Sequence, residues 1–344
     1  MRILIGMSGG LDSTYAAYKL KMMGYDVEGA VVKMHGNTEI SEAREAADAL
    51  GIRLHEIDAE CAFENCVVKN FVEEYASGRT PNPCIICNSE IKFKLLYEKA
   101  MELNFDKIAS GHYAEIAKIE TEQGVRYAIK RSLDEKKDQS YMLYRLSQDV
   151  LSNLIFPLAE ENKTEIREKA RKIGLVAADR GESQEICFVP DNDYAGFIEK
   201  RIGPSIPGDF INKEGKVLGT HKGIIHYTIG QRKGLGISVG ERAFVTSIDV
   251  KNNTVTLDTG DSYSNRILIE NMVFSGMEEP KIGDVKSLKM KHRYHSSISE
   301  CELTYLGGGR AEVKLNEPIR AVTPGQSAVF YNDETVMAGG FIAN

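Results

Sequence analysis

Two thiols, Cys84 and Cys87, stand three residues apart in the stretch TPNPCIICNSEIKF (80–93), and a third, Cys187, lies 100 residues beyond Cys87 in SQEICFVP. A free thiol ionises near pH ~8.5, so one that serves as nucleophile or ligand needs a helix N-terminus, a cation or a metal beside it. The segment supplies such help. Pro83 ends an extended loop, Asn88 or Ser89 can cap a helix, and Lys92 and Lys94 follow within two turns. Three fates are open to this sulfur. Cys61, Cys66, Cys84 and Cys87 form C-x4-C…C-x2-C, a pattern for structural Zn²⁺ whose first pair lacks the knuckle spacing. Cys84, Cys87 and Cys187 can hold a [4Fe–4S] cluster with one iron left open to external sulfide. Buried, inert thiols are the ordinary outcome, assigned here to Cys301, Cys61 and Cys66.

A second chemical string, GMSGGLDS (Gly6–Ser13), sits between an apolar strand-like run and a helix-like one. Small residues there let backbone N–H groups approach an anion, and the helix N-terminus adds its positive dipole end. The string is neither a Walker A loop nor a GxGxxG fingerprint. A plain Gly-rich turn with Asp12 as helix N-cap is the alternative, and the full string at the first βα turn argues against it. Ser8, Gly9, Gly10, Asp12 and Ser13 match the S-G-G-x-D-S signature, so the segment resembles the loop of the PP-loop ATP pyrophosphatases. That resemblance implies ATP split between its α and β phosphates and AMP transferred to an oxygen. It also implies Mg²⁺ placed with the help of Asp12. A nitrogen or sulfur nucleophile then displaces AMP.

The surrounding elements must position these groups. RILIGM, DVEGAVVKM, RLHEID and KIASGH read as strands. LDSTYAAYKLKMMG, ISEAREAADALG and FKLLYEKAMELN read as helices, the first two stopping at Gly24 and Gly51. Strands alternating with helices over short loops predict βαβ units on a parallel sheet, an α/β Rossmann-like domain. After about Asp191 the texture changes to frequent Gly and short alternating segments such as AFVTSIDV, NTVTLDT and AEVKLNEPI, which predict two small all-β, barrel-like domains. Boundaries near 200 and near 268 divide the chain into 1–200, 201–267 and 268–344.

Composition is that of a globular protein: 344 residues, 42% apolar and 27% charged. Apolar runs such as GAVV and LIFPLA are far too short to span a bilayer. The start, MRILIGMSGG, reads as a strand entering a turn and lacks the apolar core of a signal peptide. The expected location is the cytoplasm, where thiols stay reduced unless metal-bound or catalytic. A net charge of −7 argues against indiscriminate nucleic-acid binding, yet residues 281–310 carry six Lys/Arg against three acids, a local patch able to grip phosphates. A solvated strand face explains that patch equally well.

Eight separated strings occur in one order: GMSGGLDS, GRTPNPCIICNSEIKFK, SGHYA, KDQSYMLY, ICFVP, HYTIGQRKGLGI, RYH and AVTPGQSAVFY. Through them the chain resembles, over essentially its whole length, the tRNA-specific 2-thiouridylases of the MnmA type. The resemblance implies adenylation of O2 of the wobble uridine of certain tRNAs, followed by replacement of that oxygen with sulfur. It implies an ATP site made by Gly6, Met7, Ser8, Gly9, Gly10, Leu11, Asp12 and Ser13, with Val32 and Gly111 lining the nucleotide. Cys187 matches the cysteine that takes up sulfur as a persulfide, and Cys87 the nucleophile that releases it through a Cys87–Cys187 disulfide. Asn82, Pro83 and Cys84 match the stretch at the target base. His112, Lys137, Asp138, Gln139, Arg293, Tyr294 and Gln326 match tRNA-contacting positions. His112 and Tyr294 suit stacking or hydrogen bonding to an unstacked base, and Lys137 and Arg293 suit phosphates. The implied partners are tRNA and a sulfur donor: a cysteine desulfurase, a relay protein or sulfide.

The chain departs from the family's pattern twice. Many relatives have Asp at position 84, where this chain has a thiol, which leaves the acid/base role unassigned and favours the cluster of Cys84, Cys87 and Cys187. The segment after the second strand is also short, which weakens the nucleotide contact at Val32. Two rival functions remain: an amidating ligase with no use for Cys87 and Cys187, and a thiol or iron–sulfur sensor that binds RNA and has no use for a pyrophosphate loop.

Overall fold

The computed structural model describes every residue except 37, 39, 180, 182–185, 238–241, 261–262 and 344. Its first strand, β1 (Arg2–Gly6), is central to a parallel sheet and is covered on both faces, so Ile3, Leu4 and Ile5 are a continuous apolar run with no exposure. Helix α1 (Leu11–Met22) follows, then β2 (Asp26–Lys33), helix α2 (Ile40–Leu50) and β3 (Leu54–Asp58). In α2 the buried residues Ala43, Ala46, Ala47 and Leu50 recur at helical spacing, leaving the other face to solvent. The chain then returns to the far side of β1 with β4 (Lys107–Ser110). A hairpin of β5 (Glu115–Thr121) and β6 (Gly124–Lys130) precedes the last sheet strand, β7 (Leu154–Ile155). Strand order is β3-β2-β1-β4-β7. The direction of winding therefore reverses between β1 and β4, and the crevice outside their carboxyl ends is where such sheets take ligands.

The all-β half holds two modules. Strands β8 (Gly208–Ile211), β9 (Val217–His221), β10 (Phe244–Asp249) and β11 (Thr254–Asp258) form a four-stranded sheet around Phe210, Tyr227, Val245, Val255 and Leu257. The second module comprises β12 (Tyr263–Phe274), β13 (Val285–Lys291), β14 (Ser299–Gly307), β15 (Arg310–Arg320), β16 (Ser327–Asn332) and β17 (Thr335–Ile342). These run antiparallel in the order β12-β15-β14-β13-β16-β17, and pairing of β12 with β17 closes the barrel. Closure removes the free edges that an open sheet would expose.

Sequential division of the chain hides one feature. The hairpin β5–β6 belongs to the first half in sequence but pairs with the barrel through Lys130 and Thr335. Tyr141 and Tyr144 sit in one core with Val329, Tyr331 and Val336 of the barrel. Tyr141 donates to the Ser327 carbonyl at 2.8 Å, and the Tyr144 hydroxyl and Ser327 Oγ are 3.0 Å apart. The α/β half and the barrel thus share buried, hydrogen-bonded surface.

Candidate active site at the sheet's carboxyl edge

The string Gly6–Ser13 forms the turn from β1 into α1. Gly9 has φ +81°, a left-handed conformation, and a Cβ there would collide with the Glu42 backbone, so only glycine fits. Ser13 Oγ accepts from the Ser8 N–H at 3.2 Å and donates to the Gly10 carbonyl at 3.1 Å, bracing the turn from within. Gly10 caps α1 without a side-chain bond, which leaves the first-turn N–H groups for an anion. Met7 and Leu11 point into the core. A Cβ on Gly111, just past β4, would stand 2.7 Å from the Asp12 carbonyl carbon and the Ser13 nitrogen. That position is glycine because the loop packs against it.

Asp12 is not a free carboxylate. Tyr113 Oη donates to Asp12 Oδ1 at 2.7 Å, and Lys163 Nζ donates to Asp12 Oδ2 at 2.8 Å. Gln139 is bonded to the same tyrosine from both sides, its N–H to the Tyr113 carbonyl and its Oε1 to the Tyr113 N–H, each at 2.9 Å. Residue 139 is thereby linked to the phosphate loop. Lys163 lies in no motif of the sequence; only its place at the start of a helix (Lys163–Lys172) beside α1 brings it here.

The thiols lie on the neighbouring helical stretch 83–102. Asn82 caps it by accepting from the Cys84 N–H at 3.2 Å, and Pro83 occupies the first turn, where its missing donor does no harm. Residues Cys87–Lys92 then form a π turn, closed by the Phe93 N–H on the Asn88 carbonyl. Five residues of α-helix would set Cys87 and Lys92 about 140° apart. The wider π turn brings them toward one face, a device frequent at functional sites. Lys94, the other expected cation, is exposed.

Cys87 is buried, and its thiol contacts Met34 Sδ at 3.5 Å. Met34 follows β2, and Val32 of β2 packs into the same apolar cluster as Cys87, Phe188 and Val189. Phe188 stands edge-on to Phe63 at 5.4 Å and to Phe71 at 5.3 Å, which anchors the residue after Cys187 beside the Cys87 helix. Cys84 and Cys187 are exposed. Burial pushes the Cys87 thiol up to about 11, the Lys92 ammonium opposes this, and the Cys84 and Cys187 thiols add to it. Burial also raises Cys187, again against Lys92. One cation therefore faces all three sulfurs. It also faces His112, which burial and Lys92 together hold neutral, with a pKa of about 3. The His112 Nδ1 lies 2.6 Å from Ser110 Oγ.

Three thiols are the donor type of a [4Fe–4S] cluster. As folded, however, no group of three or more His, Cys, Asp or Glu among the described residues is placed to hold a metal ion. Neither the cluster on Cys84, Cys87 and Cys187 nor the Zn²⁺ set with Cys61 and Cys66 is therefore assembled among the described residues, where the Cys87 thiol packs on Met34 Sδ.

The residues expected at the RNA are divided between surface and scaffold. Asp138 is 4% exposed and accepts from Ser132 and Ser140 N–H groups and Ser140 Oγ at 3.3, 3.2 and 2.9 Å, so it organises its turn from inside. Lys137 is partly buried one residue earlier. Arg293 Nη2 donates to the Ile229 and Ala321 carbonyls at 3.3 and 2.7 Å and to Thr323 Oγ1, joining the two β modules. Gln326 Nε2 donates to the Thr80 carbonyl at 2.7 Å, and the Thr80 N–H to the Pro324 carbonyl at 2.9 Å, which clamps the loop that carries Asn82 and Cys84. Tyr294 is partly buried, 6.2 Å from the Tyr141 ring.

Family models agree with this layout. One described as a tRNA methyl transferase HUP domain matches residues 1–191. A tRNA methyl transferase PRC-barrel domain matches 195–258, and an aminomethyltransferase beta-barrel domain matches 264–342. The chain is 42% identical to the tRNA-specific 2-thiouridylase MnmA 2 of Caldanaerobacter subterraneus, over 99% of this chain and 97% of that one. It is 42% identical to the tRNA-specific 2-thiouridylase MnmA of Clostridium acetobutylicum, over 99% of each. A relative in Thermoanaerobacter sp., also named tRNA-specific 2-thiouridylase MnmA 2, is 43% identical over 99% of this chain and 97% of its own. Similarity that runs unbroken from the phosphate loop through both β modules means that the chain belongs to the tRNA-specific 2-thiouridylase family.

Proposed function

We propose that this protein is an ATP-dependent tRNA-uridine 2-sulfurtransferase that thiolates the wobble uridine of tRNA in the cytoplasm. The carrying observation is that Cys87, the residue after Cys187 and the end of β2 share one apolar cluster at the sheet edge that also bears the Gly6–Ser13 loop. Uridine O2 attacks the α-phosphorus of ATP held by that loop, and pyrophosphate leaves. Loop N–H groups and Lys163 meet the charge on the phosphates. A carboxylate plus nucleotide phosphates is an ordinary donor set for Mg²⁺, so Asp12 would hold the ion, which neutralises phosphate charge when bound.

The terminal sulfur of a persulfide on Cys187 then attacks C2 of the uridine, and AMP departs with the original oxygen. The thiolate of Cys87 attacks Cys187 Sγ, which frees the 2-thiouridine sulfur and forms a Cys87–Cys187 disulfide. An external thiol reduces that disulfide, and a desulfurase or relay protein passes its own persulfide sulfur to the Cys187 thiolate. Where sulfide is the donor it attacks Cys187 Sγ of the disulfide directly, leaving a Cys187 persulfide and releasing the Cys87 thiolate. Lys92 is the group that favours the thiolates. Methyl transfer, which two of the family descriptions mention, would have no use for a pyrophosphate loop beside paired thiols.

The test is nucleoside mass spectrometry of unmodified tRNA incubated with protein, Mg-ATP and a persulfide source such as a cysteine desulfurase with cysteine. Appearance of 2-thiouridine together with AMP supports the reading. AMP without 2-thiouridine, with a persulfide donor in excess over the protein, overturns it.

A further inference from the structure

A cleft of about 840 Å³ opens where the two β modules meet. Its wall carries four cations, Arg232, Lys233, Arg242 and Arg320, with the rings of Tyr194 and Phe244, and no carboxylate among the described residues. Past Arg232 and Arg242 it runs on into a second recess of about 450 Å³, where Gly234, Gly236 and Ala243 keep the walls low. The feature is thus an elongated groove with its charge in the middle. Small-molecule pockets are mostly apolar and enclosed. A cationic, open groove suits a chain-like polyanion.

Three of these charges are poised rather than spent. Arg232, Lys233 and Arg242 have no ion-pair partner among the described residues, in a protein of net charge −7 whose other cations are widely paired. The Arg320 guanidinium lies over the Phe244 ring at 4.6 Å, which holds it against the cleft wall. The wall itself is braced. The Gly230 N–H donates to the Val245 carbonyl at 2.8 Å and the Val245 N–H to the Gln231 carbonyl at 2.9 Å, while Arg293 ties Ile229 to Ala321. The like charges of Arg232, Lys233 and Arg242 on a braced surface repel one another, and a bound anion relieves that repulsion.

The groove also adjoins the reaction site. Tyr194 stacks on Tyr75 at 4.9 Å within the cluster that holds Cys87 and Phe188. Thr228, two residues before Gly230, has its Oγ1 3.2 Å from Thr80 Oγ1, on the loop that leads to Asn82 and Cys84.

We infer that this groove binds the phosphodiester backbone of the RNA substrate, its arginines and lysine taking successive phosphates while the target base occupies the thiol site. The inference rests on the RNA reading above. Backbone contacts of this kind position a nucleic acid without reading its sequence.

The experiment measures binding of a full-length tRNA transcript to the intact protein by fluorescence anisotropy over a series of KCl concentrations. The variants are Arg232→Ala/Lys233→Ala/Arg242→Ala and, with charge kept, Arg232→Lys/Arg242→Lys, each checked for an unchanged circular-dichroism spectrum. The alanine variant is expected to bind about tenfold or more weakly, with a log-log salt dependence shallower by about two to three ion equivalents, and the lysine variant to retain most of the affinity. Wild-type-like affinity and salt dependence in the alanine variant overturn the groove's role while leaving the thiolation reading intact. Equal loss in the lysine variant overturns the phosphate assignment. A wild-type protein that binds no tRNA overturns both readings.

Discussion

Lys163 Nζ meets Asp12 Oδ2 at 2.8 Å across 151 residues of chain, on the carboxylate whose other oxygen takes the Tyr113 hydroxyl. The pair sets a cation beside the N–H groups of the phosphate loop, so the loop's charge complementarity to a nucleotide is not the work of its own string alone. Asp12 holds Lys163 beside the loop, and on the proposed reading its ammonium meets phosphate oxygens there.

Replacing Lys163 with Met should therefore lower kcat/KM for tRNA-dependent AMP release by about a hundredfold, the range for loss of one preorganised charge donor. Lys163→Arg should recover part of the loss. Pyrophosphate release followed continuously checks both; an unaffected Met variant would remove Lys163 from the nucleotide site.

Cys87→Ser and Cys187→Ser should each abolish formation of 2-thiouridine while AMP release persists, because activation of the uridine precedes sulfur transfer. Cys84→Asp should retain thiolation, since the exposed Cys84 side chain supports no packing. An iron-free preparation supplied with persulfide should remain active. Activity that disappears on chelation and returns with iron and sulfide would restore the cluster mechanism.

The reactivity of Cys87 should climb with pH well into the alkaline range. Burial sets its thiol at about 11, so the thiolate fraction, and with it the rate of alkylation by iodoacetamide, rises about tenfold per pH unit between pH ~7 and ~10. Lys92→Met removes the opposing charge, so the pKa moves further up and alkylation at any one pH slows. Peptide mass spectrometry of the labelled protein reads both effects; equal rates with and without Lys92 would contradict the shared face made by the π turn.

His112 should make the fold acid-sensitive. Its pKa is depressed to about 3 by burial and Lys92, and a depressed histidine favours the native state above its unfolded value of about 6.5. That contribution is lost as pH falls from ~6.5 toward ~3, at a slope approaching 1.4 kcal/mol per pH unit for one proton. Urea unfolding of His112→Gln across this window should show a shallower acid limb than wild type.

Much of the site was legible as local chemistry. GMSGGLDS announces itself because a left-handed glycine, a bracing serine and an uncapped helix start are properties of eight contiguous residues. The strand–helix rhythm of the first half was legible too, since buried strands such as Ile3–Ile5 are apolar on both faces and α2 repeats its alanines at helical spacing. The change to β structure showed in the frequency of turns.

Sequence by itself determined the reaction's ingredients: a loop for an anion, three thiols and the elements that carry them. Tertiary structure decided which groups act on which. Lys163 reaches Asp12 only because two helices pack side by side, and Lys92 turns to the thiols only because a π turn replaces an α turn. Arg293 and Asp138 read as surface charges until packing turns them inward, against carbonyls and N–H groups. The physical reason is common to these cases. Periodicity and propensity act over one or two turns of chain, whereas the field at a side chain is set by whatever the fold brings within a few ångströms.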